Sequence, residues 1–131
     1  MLSLIKNKIS KEYIYAKKHT VNVYPLEDVI LKFKKSENKI EKIIEFYIEK
    51  MDFEKLKFVI KMIASSDKKT SLSINQVKDY VIQLITEAVE NFIQTSMDSI
   101  YISEYIVVGV TSYQGKHQLF VCPRYDFTKT K

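Results

Sequence analysis

The chain has few of the residues that crosslink or punctuate a protein: one cysteine, two glycines, two prolines and no tryptophan in 131 residues. A single cysteine excludes an internal disulfide and agrees with an intracellular, cytoplasmic protein. Cys122, His19 and His117 are the only Cys and His side chains, too few for an all-protein structural zinc site. Scarce glycine limits tight turns with positive φ, so the fold should be mostly helix with ordinary connections. No apolar run approaches the roughly 18–20 residues needed to cross a bilayer, and no membrane partner is expected. The opening Met1-Leu2-Ser3-Leu4-Ile5 is too short for a signal-peptide core, and no cleavage site follows it. Arginine is equally rare: Arg124 stands alone against twenty lysines.

Motifs of catalysis and cofactor binding are missing as well. There is no P-loop, dinucleotide-binding glycine fingerprint, zincin motif or nucleophile elbow. Cys122 and His117 are five residues apart, which places them on opposite faces of one strand and prevents a nucleophile–base pair. Cys122 reads as a buried strand residue, and His117 and His19 as solvated ones. Glu90, Asp98 and Glu104 could join a metal-dependent nuclease site, but no spacing singles them out, and Glu104 on an otherwise apolar hairpin face points to a bulge or a later strand start. No cofactor is implied.

What the chain does have is apolar content, 46% of its residues, ample for the core of one domain spanning 1–131. Residues 11–24 read as a candidate hairpin, with two β-prone runs around Lys17-Lys18-His19. Pro25 suits a helix N-terminus, followed by Leu26, Val29, Ile30 and Phe33 at helical spacing. Ser36 can cap a second helix with the stripe Ile40, Ile43, Ile44, Tyr47, Ile48 and Met51. Its interleaved glutamates and lysines read as a solvated face. Asp52 looks like a fresh N-cap for Phe53, Leu56, Val59, Ile60 and Ile63, and 65–73 reads as a loop.

The most informative stretch is the last third. Ser73-Ile74-Asn75-Gln76 is a capping box, in which serine and glutamine each satisfy the other's backbone N–H. Val77, Tyr80, Val81, Leu84, Ile85, Ala88, Val89, Phe92 and Ile93 then define one helix to about Ser96. That apolar face is wide enough for a core and a partner, which makes a homodimer an option. A hairpin follows, from about Ile100 to Cys122, turning at Gln114-Gly115. In this register Ile106, Val108, Val110, Leu119 and Val121 share a core face. Tyr105, Val107, Gly109, Thr111, Tyr113, Lys116, Gln118, Phe120 and Cys122 share the other, more polar face. The sheet should therefore pack on one side only. Phe120 should lie across Gly109 and cover its backbone. Residues after Pro123 read as a tail.

Helix followed by hairpin suggests a winged helix, but charge argues against a recognition helix. Residues 71–112 carry a net −4 and 37–52 a net −2, whereas 1–36 carry +5, 53–70 carry +3 and 113–131 carry +3. Lys78 faces Asp79, Glu87 and Glu90 on the long helix, an acidic surface that DNA phosphates would repel. Positive charge collects in the N-terminal segment and at the hairpin. The candidate nucleic-acid contacts are therefore Lys17, Lys18, Tyr105, Tyr113, Lys116 and Arg124. Aromatics among lysines can stack unpaired bases and steer the backbone. Lysine in place of arginine implies non-specific phosphate attraction.

Seventeen isoleucines, twenty lysines and nine tyrosines form a profile of A/T-rich codons. In composition and size the whole chain resembles small orphan proteins of rod-shaped and filamentous viruses that infect hyperthermophilic archaea. A/T-rich bacteria and their phages share the profile. The archaeal resemblance implies a thermophilic viral accessory protein in the host cytoplasm. The expected fold is α+β: three to four bundled helices with a C-terminal antiparallel hairpin, an N-terminal hairpin as an option, and a winged-helix variant as the alternative. The expected function is weak nucleic-acid binding without catalysis, with a homo-oligomeric interaction module or a metal-dependent nuclease as alternatives.

Overall fold

A computed structural model describes residues 22–63 and 72–124. Those residues form an α+β fold: β1 (Asn22–Pro25), α1 (Glu27–Lys32), α2 (Lys39–Lys50), α3 (Phe53–Ile63), α4 (Ile74–Thr95), β2 (Ser99–Ile102), β3 (Ile106–Tyr113) and β4 (Lys116–Pro123). The strands make one antiparallel sheet in the order β1-β4-β3-β2. The helices pack on this sheet, and among the described residues no helix-turn-helix with an appended wing forms. The proposed loop falls largely outside the described residues, as do residues 11–21 of the N-terminal hairpin. Asn22–Pro25 of that region is a strand, but its partner is β4, with Val23 opposite Phe120.

Local signals set most boundaries. The Ser73 hydroxyl accepts from the Gln76 N–H at 3.2 Å, and the Gln76 side chain accepts from the Ser73 N–H at 2.8 Å. This closes the predicted capping box. At the other end Ser96 takes a left-handed conformation, φ 56°, and its N–H donates to the Phe92 carbonyl. Between α2 and α3, Met51 is extended, and Asp52 accepts from the Lys55 N–H at 3.0 Å. Asp52 therefore starts a new helix, as predicted. Ser36 does not. Its N–H closes the turn after α1 onto the Phe33 carbonyl, and Asn38 becomes the residue before α2. Pro25 ends a strand two residues before α1, and Leu26 stands between.

The long helix buries Val77, Val81, Leu84, Ile85, Ala88, Val89 and Phe92 against the sheet and the other helices. The face that suggested a partner helix is thus taken up by the protein's own core. Ile82 and Ile93, 38% and 37% exposed, are the large apolar side chains it leaves outward.

The central hairpin has the predicted register: Tyr113 opposite Lys116, Val110 opposite Leu119, Gly109 opposite Phe120. Gln114 and Gly115 both have positive φ, 53° and 81°, as a two-residue type I′ turn requires. Two expectations are corrected. The run from Ile100 is not one strand, because Ser103 folds back on Ile106. Its N–H donates to the Ile106 carbonyl at 2.8 Å, and its hydroxyl accepts from the Ile106 N–H at 3.2 Å. Ser99–Ile102 therefore becomes a separate edge strand. Nor does the sheet pack on one side only. Val107, Phe120 and Cys122 on the second face are fully buried, in a small cluster with Val23 and Ile100. Apolar side chains from all four strands meet on that face, and its centre too is withdrawn from water.

Two side chains tie these layers down. The Tyr47 hydroxyl, inside the core, donates to the Pro25 carbonyl at 2.6 Å and holds β1 to α2. Burial pushes the Tyr47 hydroxyl pKa far above its ordinary value of 10.0, and that of Tyr24, stacked beside it, to about 12. A phenol raised in this way favours the folded state below pH ~10 and loses that contribution as pH climbs through the folded value. Tyr47→Phe should cost about 1 kcal/mol at neutral pH. It should also flatten the fall in stability above pH ~10, as read by urea unfolding across the alkaline range.

At Gly109 a Cβ would collide with the ring of Phe120. Gly109→Ala should therefore destabilise by about 1–3 kcal/mol through overpacking. In a Phe120→Leu background the same change should cost measurably less. Equal costs in both backgrounds would show that the contact is not what requires glycine.

Candidate functional site

The fold distributes the six predicted contact residues unevenly. Lys17 and Lys18 lie outside the described residues. Tyr113 and Lys116 form the last cross-strand pair before the turn. Residues Ser112 to Lys116 are all exposed. Tyr113 is 38% exposed.

Tyr105 and Arg124 are elsewhere. Tyr105 was placed on the polar hairpin face with Tyr113, but it precedes β3 in the Ser103 turn. It packs on the helical core, with its ring 6.0 Å from that of Tyr80 on α4. The fold-back of Ser103 rotates Tyr105 out of the strand alternation that the sequence suggested. Arg124 joins the same end of the sheet. Its N–H donates to the Tyr105 carbonyl at 2.7 Å, and its guanidinium to the Ser103 carbonyl at 3.4 Å. Strands β3 and β4 are eight residues long, so about 23 Å separates the two ends at ~3.3 Å per residue. One small ligand cannot engage both. Tyr113 and Lys116 are brought together, and Tyr105 and Arg124 are held apart from them.

The residue most underestimated by sequence reasoning is His117. It was read as a solvated hairpin residue, yet its side chain is only 20% exposed. Strand alternation turns it to the core side, where its ring lies 4.6 Å from that of Phe92 at the end of α4. Nδ1 sits 3.1 Å from a Glu27 carboxylate oxygen, and Nε2 lies 3.4 Å from one of Asp98. The backbone joins in: the His117 N–H donates to Glu27 at 3.4 Å, and its carbonyl accepts from Leu26 N–H at 3.2 Å. Asp98 also accepts from the Ser112 N–H at 3.4 Å. Three elements that share no local sequence, α1, the start of β2 and the hairpin, meet on one imidazole.

No family model, no curated protein and no solved structure matches the chain. Function therefore has to be argued from the geometry.

Nδ1 of His117 faces Glu27 and Nε2 faces Asp98, so both ring nitrogens point at carboxylates of the protein itself. Among the described residues no three His, Cys, Asp or Glu side chains gather as a metal site. Of the carboxylates that a nuclease reading would use, Asp98 is committed to His117 and Ser112. Glu90 lies on the outer face of α4 and Glu104 in the Ser103 turn, both exposed. Cys122 is buried on the opposite face of the sheet from His117. The described residues include no helix long and apolar enough to cross a membrane. A shallow cavity of about 40 Å³ borders the imidazole, lined by Pro25, Leu26, Glu27, Asp28, Lys116, His117 and Gln118. It has room for little more than a water. The arrangement is a clamp that steadies the base of the exposed tip.

Hydrogen bonds from the His117 side chain and backbone hold the Glu27 carboxyl below its ordinary 4.5. A carboxylate lowered in this way adds stability above its unfolded pKa and loses it as pH falls through the folded value. Glu27 is 42% exposed, so the pair should contribute no more than about 1 kcal/mol. Glu27→Gln should lower stability slightly at pH ~6 and reduce the loss seen on acidification below pH ~4.5. Parallel acid titrations of the two proteins by urea unfolding would contradict the clamp.

Proposed function

We propose that this protein is a small non-enzymatic accessory protein that binds nucleic acid weakly and without sequence preference, using the hairpin tip. The observation that carries the reading is the exposed Tyr113–Lys116 pair. A tyrosine offers a face on which any unpaired base can stack, and a lysine beside it attracts the backbone without reading sequence. The clamp on His117 supports the reading by giving the tip a rigid base, so little order has to be gained on binding. The acidic long helix and its buried apolar face are consistent with a structural role for α4. The compositional resemblance to orphan proteins of archaeal viruses fits the same proposal, with the host cytoplasm as its setting.

Fluorescence anisotropy with labelled single-stranded and duplex oligonucleotides tests this. The expected Kd is in the range of about 1–100 µM near physiological salt, tightening steeply as salt is lowered. Tyr113→Ala should weaken single-strand binding by about 5-fold to 100-fold, the worth of one base stack, and should affect duplex binding less. Lys116→Glu should weaken binding to all sequences alike. The proposal fails if no binding appears even at low salt, or if binding survives both changes intact.

A further inference from the structure

The lysines of α1 and α2 are not scattered over a solvated face. Lys32 Nζ lies 4.8 Å from the centre of the Phe46 ring and 5.5 Å from that of Phe33, and Lys50 Nζ lies 4.7 Å from Phe46. Two ammonium groups from different helices thus gather on one aromatic ring, within about 10 Å of each other, or one Debye length at ~0.1 M salt. The ring is held by edge-on contacts with Phe33 and Tyr47, at 6.0 Å and 5.7 Å between centres. Its quadrupole draws the cations in but cannot neutralise them. Asp28, one turn before Lys32, and Glu49, beside Lys50, make no ion pair with either lysine. At 100° per residue, Lys39, Lys42, Phe46 and Lys50 fall within an arc of about 80° on α2, and Glu41, Glu45 and Glu49 fall in a separate arc. The acidic arc borders the basic one on the Lys42 side, and Phe46 and Lys50 lie at the end away from it.

We propose that Lys32, Phe46 and Lys50 form a phosphate cradle for the backbone of a nucleic-acid strand, with Lys39 and Lys42 extending it along α2. This rests on the nucleic-acid reading above and adds a second contact to it. Each ammonium keeps its charge beside a fixed ring, and neighbouring phosphates of one strand can each accept from one of them. The hairpin and the cradle are linked through α1: Glu27 touches His117, next to Lys116, and Lys32 is about 7.5 Å further along the helix axis. Phe33 and Phe46 are half-buried against the core. They are poorly placed to insert into a bilayer, which favours a nucleic-acid strand over a lipid surface.

The test compares the salt dependence of oligothymidine binding by the wild-type protein, Lys32→Gln/Lys50→Gln, and the control Lys55→Gln/Lys61→Gln, which removes the same charge from α3. The cradle variant should weaken binding and lower the slope of log K against log salt by about 1.4, two phosphate contacts at ~0.7 each. The control should leave the slope unchanged. Equal effects from both variants, or none from the cradle variant while the wild type binds, would overturn the cradle and leave the hairpin reading standing. Absence of wild-type binding would overturn both. Binding to phosphatidylserine vesicles that depends on Lys32 and Lys50, without oligonucleotide binding, would assign the surface to a membrane instead.

Discussion

The register of the central hairpin governs everything built around it. Gln114 and Gly115, both with positive φ, join β3 to β4 through a two-residue turn that leaves one pairing. A slip of one residue would exchange faces along the whole strand. Leu119 and Val121 would leave the helical core, and Phe120 would lose the glycine that gives its ring room. His117 would turn away from Phe92, Glu27 and Asp98. Strands β1 and β2 pair with the outer edges of this hairpin, so their registers depend on it as well.

The same constraint shapes the functional surface. Because both faces of the sheet carry buried apolar side chains, the exposed and chemically versatile part of the hairpin is its tip. The imidazole clamp stiffens the strand behind that tip and ties it to α1. In the proposed reading Lys32 and Lys50, beside Phe46, continue the surface, and the acidic outer face of α4 stays outside it. A protein of this kind would bind through two modest contacts on a rigid frame, with neither contact strong alone.

Features decided by neighbouring residues were legible in the sequence. The Ser73–Gln76 box, the Asp52 cap, the nine-residue apolar stripe of α4 and the Gln114-Gly115 register all depend on chemistry within a few positions. Features decided by distant residues were not. Glu27 lies 90 residues from His117, and nothing around a histidine in a hairpin announces two carboxylate partners. The Ser103 turn contains neither glycine nor proline; Glu104 on an otherwise apolar face signals the later start of β3, but nothing local shows that Tyr105 leaves the strand alternation. The second sheet face looked polar because Lys116, Gln118 and Tyr113 crowd one end of it, whereas Val107, Phe120 and Cys122 dominate the other. Phe46 escaped notice because it lies outside the main apolar stripe of its helix and matters only once Lys32 arrives from another.

The central claim is that a nucleic-acid strand contacts the hairpin tip and the adjoining lysine–phenylalanine surface, leaving the long helix untouched. Mapping amide chemical-shift changes by NMR on titration with a single-stranded oligonucleotide tests this most directly. The account predicts changes concentrated at residues 112–117 and around Lys32, Phe46 and Lys50. Changes centred on the outer face of α4, or spread evenly over the lysines of every element, would contradict it.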